Sequence, residues 1–147
     1  MWTPSSERQR LRVVLDTNVW VSAIIWGGPP AIIIRAAEDE RILIIVSEAI
    51  VEEIVHILDY HRLREIYEEA GLKREELVEA ILRISRVVEV KTGLNIVQED
   101  SSDNKFLECA MDGGADYVVS GDDHLLRIGH YQRIRIVSVK QFLEILD

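Results

Sequence analysis

The residues in this chain best suited to chemistry are carboxylates placed where apolar runs stop. LRVVL runs into Asp16, with Thr17 and Asn18 behind it, and YVVSG runs into Asp122. Asp103 opens the segment DNKFLECAM and shares a helical stripe with Phe106, Leu107 and Ala110, which turns it toward the core side. The segment SEAIVEEIVHIL adds Glu48, Glu52 and Glu53. Glu53 lies at one margin of its apolar face and Glu48 and Glu52 at the other, and helical periodicity does not choose between the margins. Each aspartate taken alone also suits a helix cap, but Asn or Ser would cap equally well, so capping does not account for the charge. Carboxylates gathered without a cation repel and raise one another's pKa. Mg²⁺ and Mn²⁺ are hard ions that take oxygen ligands, and at such a site they polarise a phosphodiester and ready a water for attack.

The elements that would gather these acids alternate along the chain. Short buried strands are expected at LRVVLD, at ILIIVS (42–47), at VVEV (87–90), at YVVS (117–120) and at IRIVSV (134–139). Helices are expected at TNVWVSAII, at AIIIRAAEDE beyond the GGPP break, and from a Ser47 cap to about Leu58. Further helices are expected over 60–70, over 73–86 after a stop at Gly71, over 103–111, and at VKQFLEIL behind a Ser138 cap. The alternation predicts an α/β domain, a three-layer sandwich with a central, mostly parallel sheet flanked by helices. Ligands of such sheets sit beyond the carboxyl ends of the strands, where both Asp16 and Asp122 fall. Residues 1–10 are polar and aperiodic and read as a loose leader, leaving 11–147 as a single domain.

Composition bounds the reading. A chain of 147 residues buries a real core without metal or disulfide staples, and its one cysteine, Cys109, excludes an internal disulfide framework. No apolar run reaches the roughly 20 residues that span a bilayer, and no signal-peptide segment opens the sequence, so a cytoplasmic protein with no membrane attachment is expected. The formal net charge of −9 counts against a passive nucleic-acid binder. It counts less against a metal-dependent one, because a bound divalent cation inverts the charge of an acidic site.

The order of these segments resembles the PIN-domain family of nucleases, in particular the small prokaryotic type found as the toxin half of toxin–antitoxin pairs. The resemblance is carried by strand–DTNVWVSA, by SEAIVEEI, and above all by DSSDNKFLECAMDGGADYVVSGDDHLL, and it covers about residues 11 to 146. It implies an acidic quartet of Asp16, Glu53, Asp103 and Asp122, selecting Glu53 where periodicity did not. It also implies supporting roles for the hydroxyls of Thr17 and Ser120, for Asn18 in fixing the local turn, and for Asp100. One position departs from the pattern: His124 stands where many relatives carry a further Asp, and the adjacent Asp123 should point elsewhere.

From the resemblance follow Mg²⁺ or Mn²⁺ as cofactor, RNA as substrate, hydrolysis leaving a 5′-phosphate, a protein antitoxin as partner and a homodimer. Arg127, Arg133 and Arg135 are candidates for substrate contacts away from the metal. A phosphatase of the haloacid-dehalogenase type is disfavoured because Asn18 stands where its second aspartate belongs. A response-receiver domain is disfavoured because the acidic pair Asp122–Asp123 follows a late strand. The alternative from another class is a non-catalytic PIN-like module that binds metal or a partner.

Overall fold

The computed structural model describes residues 10–93 and 103–147. Two continuous apolar runs form its central strands, β1 (Leu11–Leu15) and β2 (Ile42–Val46), paired in parallel with Leu11 opposite Ile42 and Val14 opposite Ile45. Successive side chains of a strand face opposite sides of the sheet. Val13, Val14 and Leu15 in β1 and Ile44, Ile45 and Val46 in β2 are all fully buried, so both faces of the sheet are covered. The other strands are β3 (Ser85–Val87), β4 (Tyr117–Val119), β5 (His130–Tyr131) and β6 (Ile134–Val137). They complete a six-stranded sheet in the order β3-β2-β1-β4-β6-β5. Every pairing is parallel except that of β5 with β6.

Eight helices are found among the described residues: α1 (Thr17–Val21), α2 (Pro29–Glu38), α3 (Glu48–Leu58), α4 (His61–Glu69), α5 (Arg74–Ile84), α6 (Asn104–Gly113), α7 (Asp123–Ile128) and α8 (Val139–Leu146). The caps expected of Ser47 and Ser138 are present. Ser47 Oγ accepts from the Ile50 amide at 3.3 Å, and Ser138 and Gln141 form a reciprocal capping box. Helix α6 packs across β1, β2 and β4, and it sits so close that a Cβ on Gly113 would lie 2.5 Å from Cγ2 of Ile45. No single helix among the described residues is long and apolar enough to cross a membrane.

Three sequence expectations are corrected. The third strand occupies Ser85–Val87, not 87–90, and α5 stops at Ile84. Ser85 Oγ donates to the Ile81 carbonyl at 2.6 Å, closing the helix, and Ser85 itself then pairs with Ile44. Helix α1 keeps α geometry only to Val21 and widens into a π turn over Ser22–Trp26, closed by the Gly27 amide donating to the Ser22 carbonyl. The short helix α7 and the two-residue strand β5 were not anticipated. The expected leader, apart from Arg10, and Asp100 lie outside the described residues.

Candidate metal centre

The strand order places β1 beside β4, and their carboxyl ends open onto the same edge of the sheet. The Asp16 amide donates to the Val119 carbonyl at 3.0 Å, locking the two exits together. A cavity of about 200 Å³ lies at that edge, lined by Asp16, Thr17, Asn18, Glu53, Ile57, Asp103, Phe106 and Asp122. Asp16, Glu53, Asp103 and Asp122, far apart in sequence, therefore share one small space. Larger grooves of about 610 and 580 Å³ lie elsewhere, and neither gathers these acids.

Each acid reaches the cavity for a local reason. Asp16 caps α1, its Oδ1 accepting from the Val19 amide at 2.8 Å. Its Oδ2 accepts from Ser120 Oγ at 2.5 Å and from the Gly121 amide at 3.2 Å. The carboxylate is buried at 3% exposure, and that burial holds its pKa above the ordinary carboxylate value. The bonds from Ser120, Val19 and Gly121 pull the other way without cancelling the burial, and the nearby Asp122 charge adds to the rise. Ser120 Oγ also accepts from the Asp122 amide at 2.9 Å, so one hydroxyl orients two of the acids. Asp122 caps α7, its Oδ1 accepting from the amides of His124 at 2.7 Å and Leu125 at 3.3 Å. Asp103 sits at the N-cap of α6 but makes no side-chain capping bond, so its carboxylate is not spent on the helix end. It is buried, as its stripe with Phe106 and Leu107 predicts.

Glu53 enters from the second turn of α3, and Glu48 and Glu52 on the other margin remain outside the cavity, facing the 580 Å³ groove. Both oxygens of Glu53 are engaged: Oε1 accepts a short bond from Thr17 Oγ1, and Oε2 lies 2.6 Å from the Lys105 ammonium. Lys105 was not singled out in the sequence. A lysine in the first turn of a helix reads as solvated, and only its place two residues after Asp103 marks it. Asn18 is exposed at the cavity wall. The turn expected of its amide is held by Asp16 instead. Asp123 is exposed and outside the cavity, as expected. His124 joins the group: one ligand atom from each of Asp103, Asp122 and His124 lies within 4.8 Å of the others. Cys109, expected in the core, is fully buried, and burial pushes its thiol pKa up to about 12.

The donor set fits a divalent cation. The cavity offers carboxylate oxygens, with the His124 imidazole grouped with Asp103 and Asp122 and the Lys105 ammonium beside Glu53 to offset their charge. A hard cation is the species such a set accommodates.

Comparison with known proteins agrees. The chain is 29% identical to an uncharacterized protein of Methanocaldococcus jannaschii over an alignment that covers 94% of this chain and 93% of that one. A family model described as PIN domain matches residues 12–124, which takes in β1 from Arg12 onward, all four acids and His124. The chain belongs to the PIN-domain family, a family of nuclease-type hydrolases.

Proposed function

We propose that this protein is an endoribonuclease dependent on Mg²⁺ or Mn²⁺, and the toxin component of a toxin–antitoxin pair. The observation that carries the proposal is the convergence of Asp16, Glu53, Asp103 and Asp122 on one 200 Å³ cavity at the carboxyl edge of the sheet. These four residues hold the cation, directly or through water. When bound, the ion supplies Lewis-acid polarisation of the phosphodiester and activation of water. Ser120 and Thr17 keep Asp16 and Glu53 in place, and Lys105 sets the second oxygen of Glu53. Phe106 and Ile57 close the apolar side of the cavity and limit solvent there. No side-chain nucleophile is needed. Arg127, Arg133 and Arg135 are exposed and serve as contacts for the RNA backbone away from the metal.

The protein acts in the cytoplasm as a homodimer in this reading. Trp26, 65% exposed beside Gly27 and Gly28, and Ile32 at 40% supply apolar surface for the second copy. The test is cleavage of labelled RNAs and single-stranded DNAs with Mg²⁺, Mn²⁺ or EDTA, using the wild type, Asp16→Asn and Asp122→Asn. Cleavage of RNA that needs metal and disappears in both variants is expected. Metal binding without cleavage of any substrate would instead support the non-catalytic module, and cleavage surviving both substitutions would place the activity elsewhere.

A further inference from the structure

The hydrogen bonds around the cavity divide its acids into two classes. Asp16 has one oxygen on Val19 and the other on Ser120 and Gly121, and Glu53 has one on Thr17 and the other on Lys105. Every oxygen of these two carboxylates already accepts from the protein. Asp122 differs, because both helix-capping amides go to Oδ1 and Oδ2 accepts no bond among the described residues. Asp103 is buried and joins Asp122 in a group of ligand atoms that lie within 4.8 Å of one another. The third member of the group is a nitrogen: His124 Nδ1 is shielded from solvent, has no hydrogen-bond partner and lies 3.8 Å from Asp122 Oδ1. A buried ring nitrogen without a partner costs free energy unless something else occupies it.

We infer that the cation is held directly by Asp103, Asp122 and the Nδ1 of His124, so that a nitrogen donor selects the ion. The inference rests on the metal-dependent reading above and goes beyond it. One ligand atom of each of the three lies within 4.8 Å of the others, and two ligands each roughly 2.1 Å from an ion can stand up to about 4.2 Å apart, so a small closure brings them onto one ion. Asp16 and Glu53 line the same cavity, Asp16 tied to Asp122 by the Ser120 hydroxyl and Glu53 anchored by Lys105, and both keep their part in holding the ion. An all-oxygen set suits Mg²⁺, whereas imidazole shifts preference toward transition-metal ions. His124, the nitrogen donor of the group, is thus the residue that sets the metal preference.

The test uses Mn²⁺ alone as probe, with the full-length protein and no RNA. Pulsed electron paramagnetic resonance of the Mn²⁺ complex is expected to show coupling to a directly bound ¹⁴N. That coupling is expected to vanish in His124→Asp and His124→Gln and to persist in His130→Gln, with circular dichroism confirming that each variant is folded. In His124→Asp the affinity for Mn²⁺ relative to Mg²⁺, measured by competition, is expected to fall on the order of tenfold. Mn²⁺ bound by the wild type without nitrogen coupling would overturn the inference and leave the metal-dependent nuclease standing. Coupling that survives both His124 substitutions would also overturn it. Absence of Mn²⁺ binding would overturn both.

Discussion

Lys105, in the first turn of α6, reaches Glu53 on α3 with its ammonium 2.6 Å from Oε2, and the pair is only 19% and 30% exposed at its two side chains. The pair joins α6, which carries Asp103 at its N-cap, to α3. The ammonium is a built-in positive charge beside the proposed cation site. Lys105→Met should therefore bind Mn²⁺ more tightly, because like-charge repulsion is removed, yet cleave RNA more slowly because Glu53 loses its orientation. Calorimetric titration of Mn²⁺ alongside single-turnover cleavage checks both. Weaker binding together with unchanged cleavage would contradict this role.

Ser120 donates to Asp16 and accepts from the Asp122 amide. Ser120→Ala removes both bonds inside the cavity wall, leaving a buried carboxylate with the Gly121 amide as its remaining donor on Oδ2. The expected loss of stability is about 1–3 kcal/mol by urea denaturation, with a fall in cleavage rate. Ser120→Thr, which keeps a hydroxyl, should recover part of the rate.

The raised pKa of Asp16 makes a signed prediction about pH. Between the ordinary carboxylate value and its own folded value, the folded protein holds a proton that the unfolded chain has released. Stability of the metal-free protein is therefore lost as pH rises through that window, and the cost stays constant above it. Asp16→Asn removes that cost. In EDTA at pH 7 it should melt a few degrees above wild type, and the gap should narrow as pH falls into the window. Asp112 works in the opposite sense: Thr92 donates to it from both hydroxyl and amide, and Lys91 from its amide, lowering its pKa. Its contribution is lost only as pH falls below the ordinary carboxylate value. Thermal melts from pH 3 to 8 in both proteins measure the difference.

Gly113 sits in the last turn of the helix whose first turn carries Lys105. Gly113→Ala drives a methyl into Ile45 and should cost about 1–3 kcal/mol. Because the helix must shift to relieve the clash, Asp103 at its far end should move with it. Mn²⁺ affinity is expected to fall in a variant whose substitution lies outside the cavity lining. Full Mn²⁺ affinity in a destabilised variant would show that α6 absorbs the strain locally.

Much of this was legible in the sequence, and the failures share a cause. The strands LRVVL and ILIIV announce themselves because central parallel strands are buried on both faces and must be apolar throughout. Ser85–Val87 is an edge strand with two polar residues out of three, so the apolar run beside it drew the expectation two residues too far. His130–Tyr131 is too short to carry any period. Asp16, Asp103 and Asp122 stood out by position alone, at strand exits and on a helix stripe. Glu53 did not, since a helical wheel cannot distinguish two margins of one apolar face. The partners of the acids were visible only through the resemblance, which gave Thr17 and Ser120 but not Lys105. Asn18 is next to Asp16 in sequence and exposed, whereas Ser120 and Lys105 act across 104 and 52 residues.

The pairing of β1 with β4 also governs when a nascent chain can assemble its acidic cavity. Leu15 must wait for Val119 to leave the ribosome before the two can pair, about 5–20 s at a synthesis rate of roughly 5–20 residues per second. Asp122 and His124 follow a moment later. Every translation product that stops short of Asp122 holds at most three of the four acids and no completed pocket. Because closing the cavity needs contacts across 104 and 105 residues, the acids come together only with the cooperative completion of the sheet.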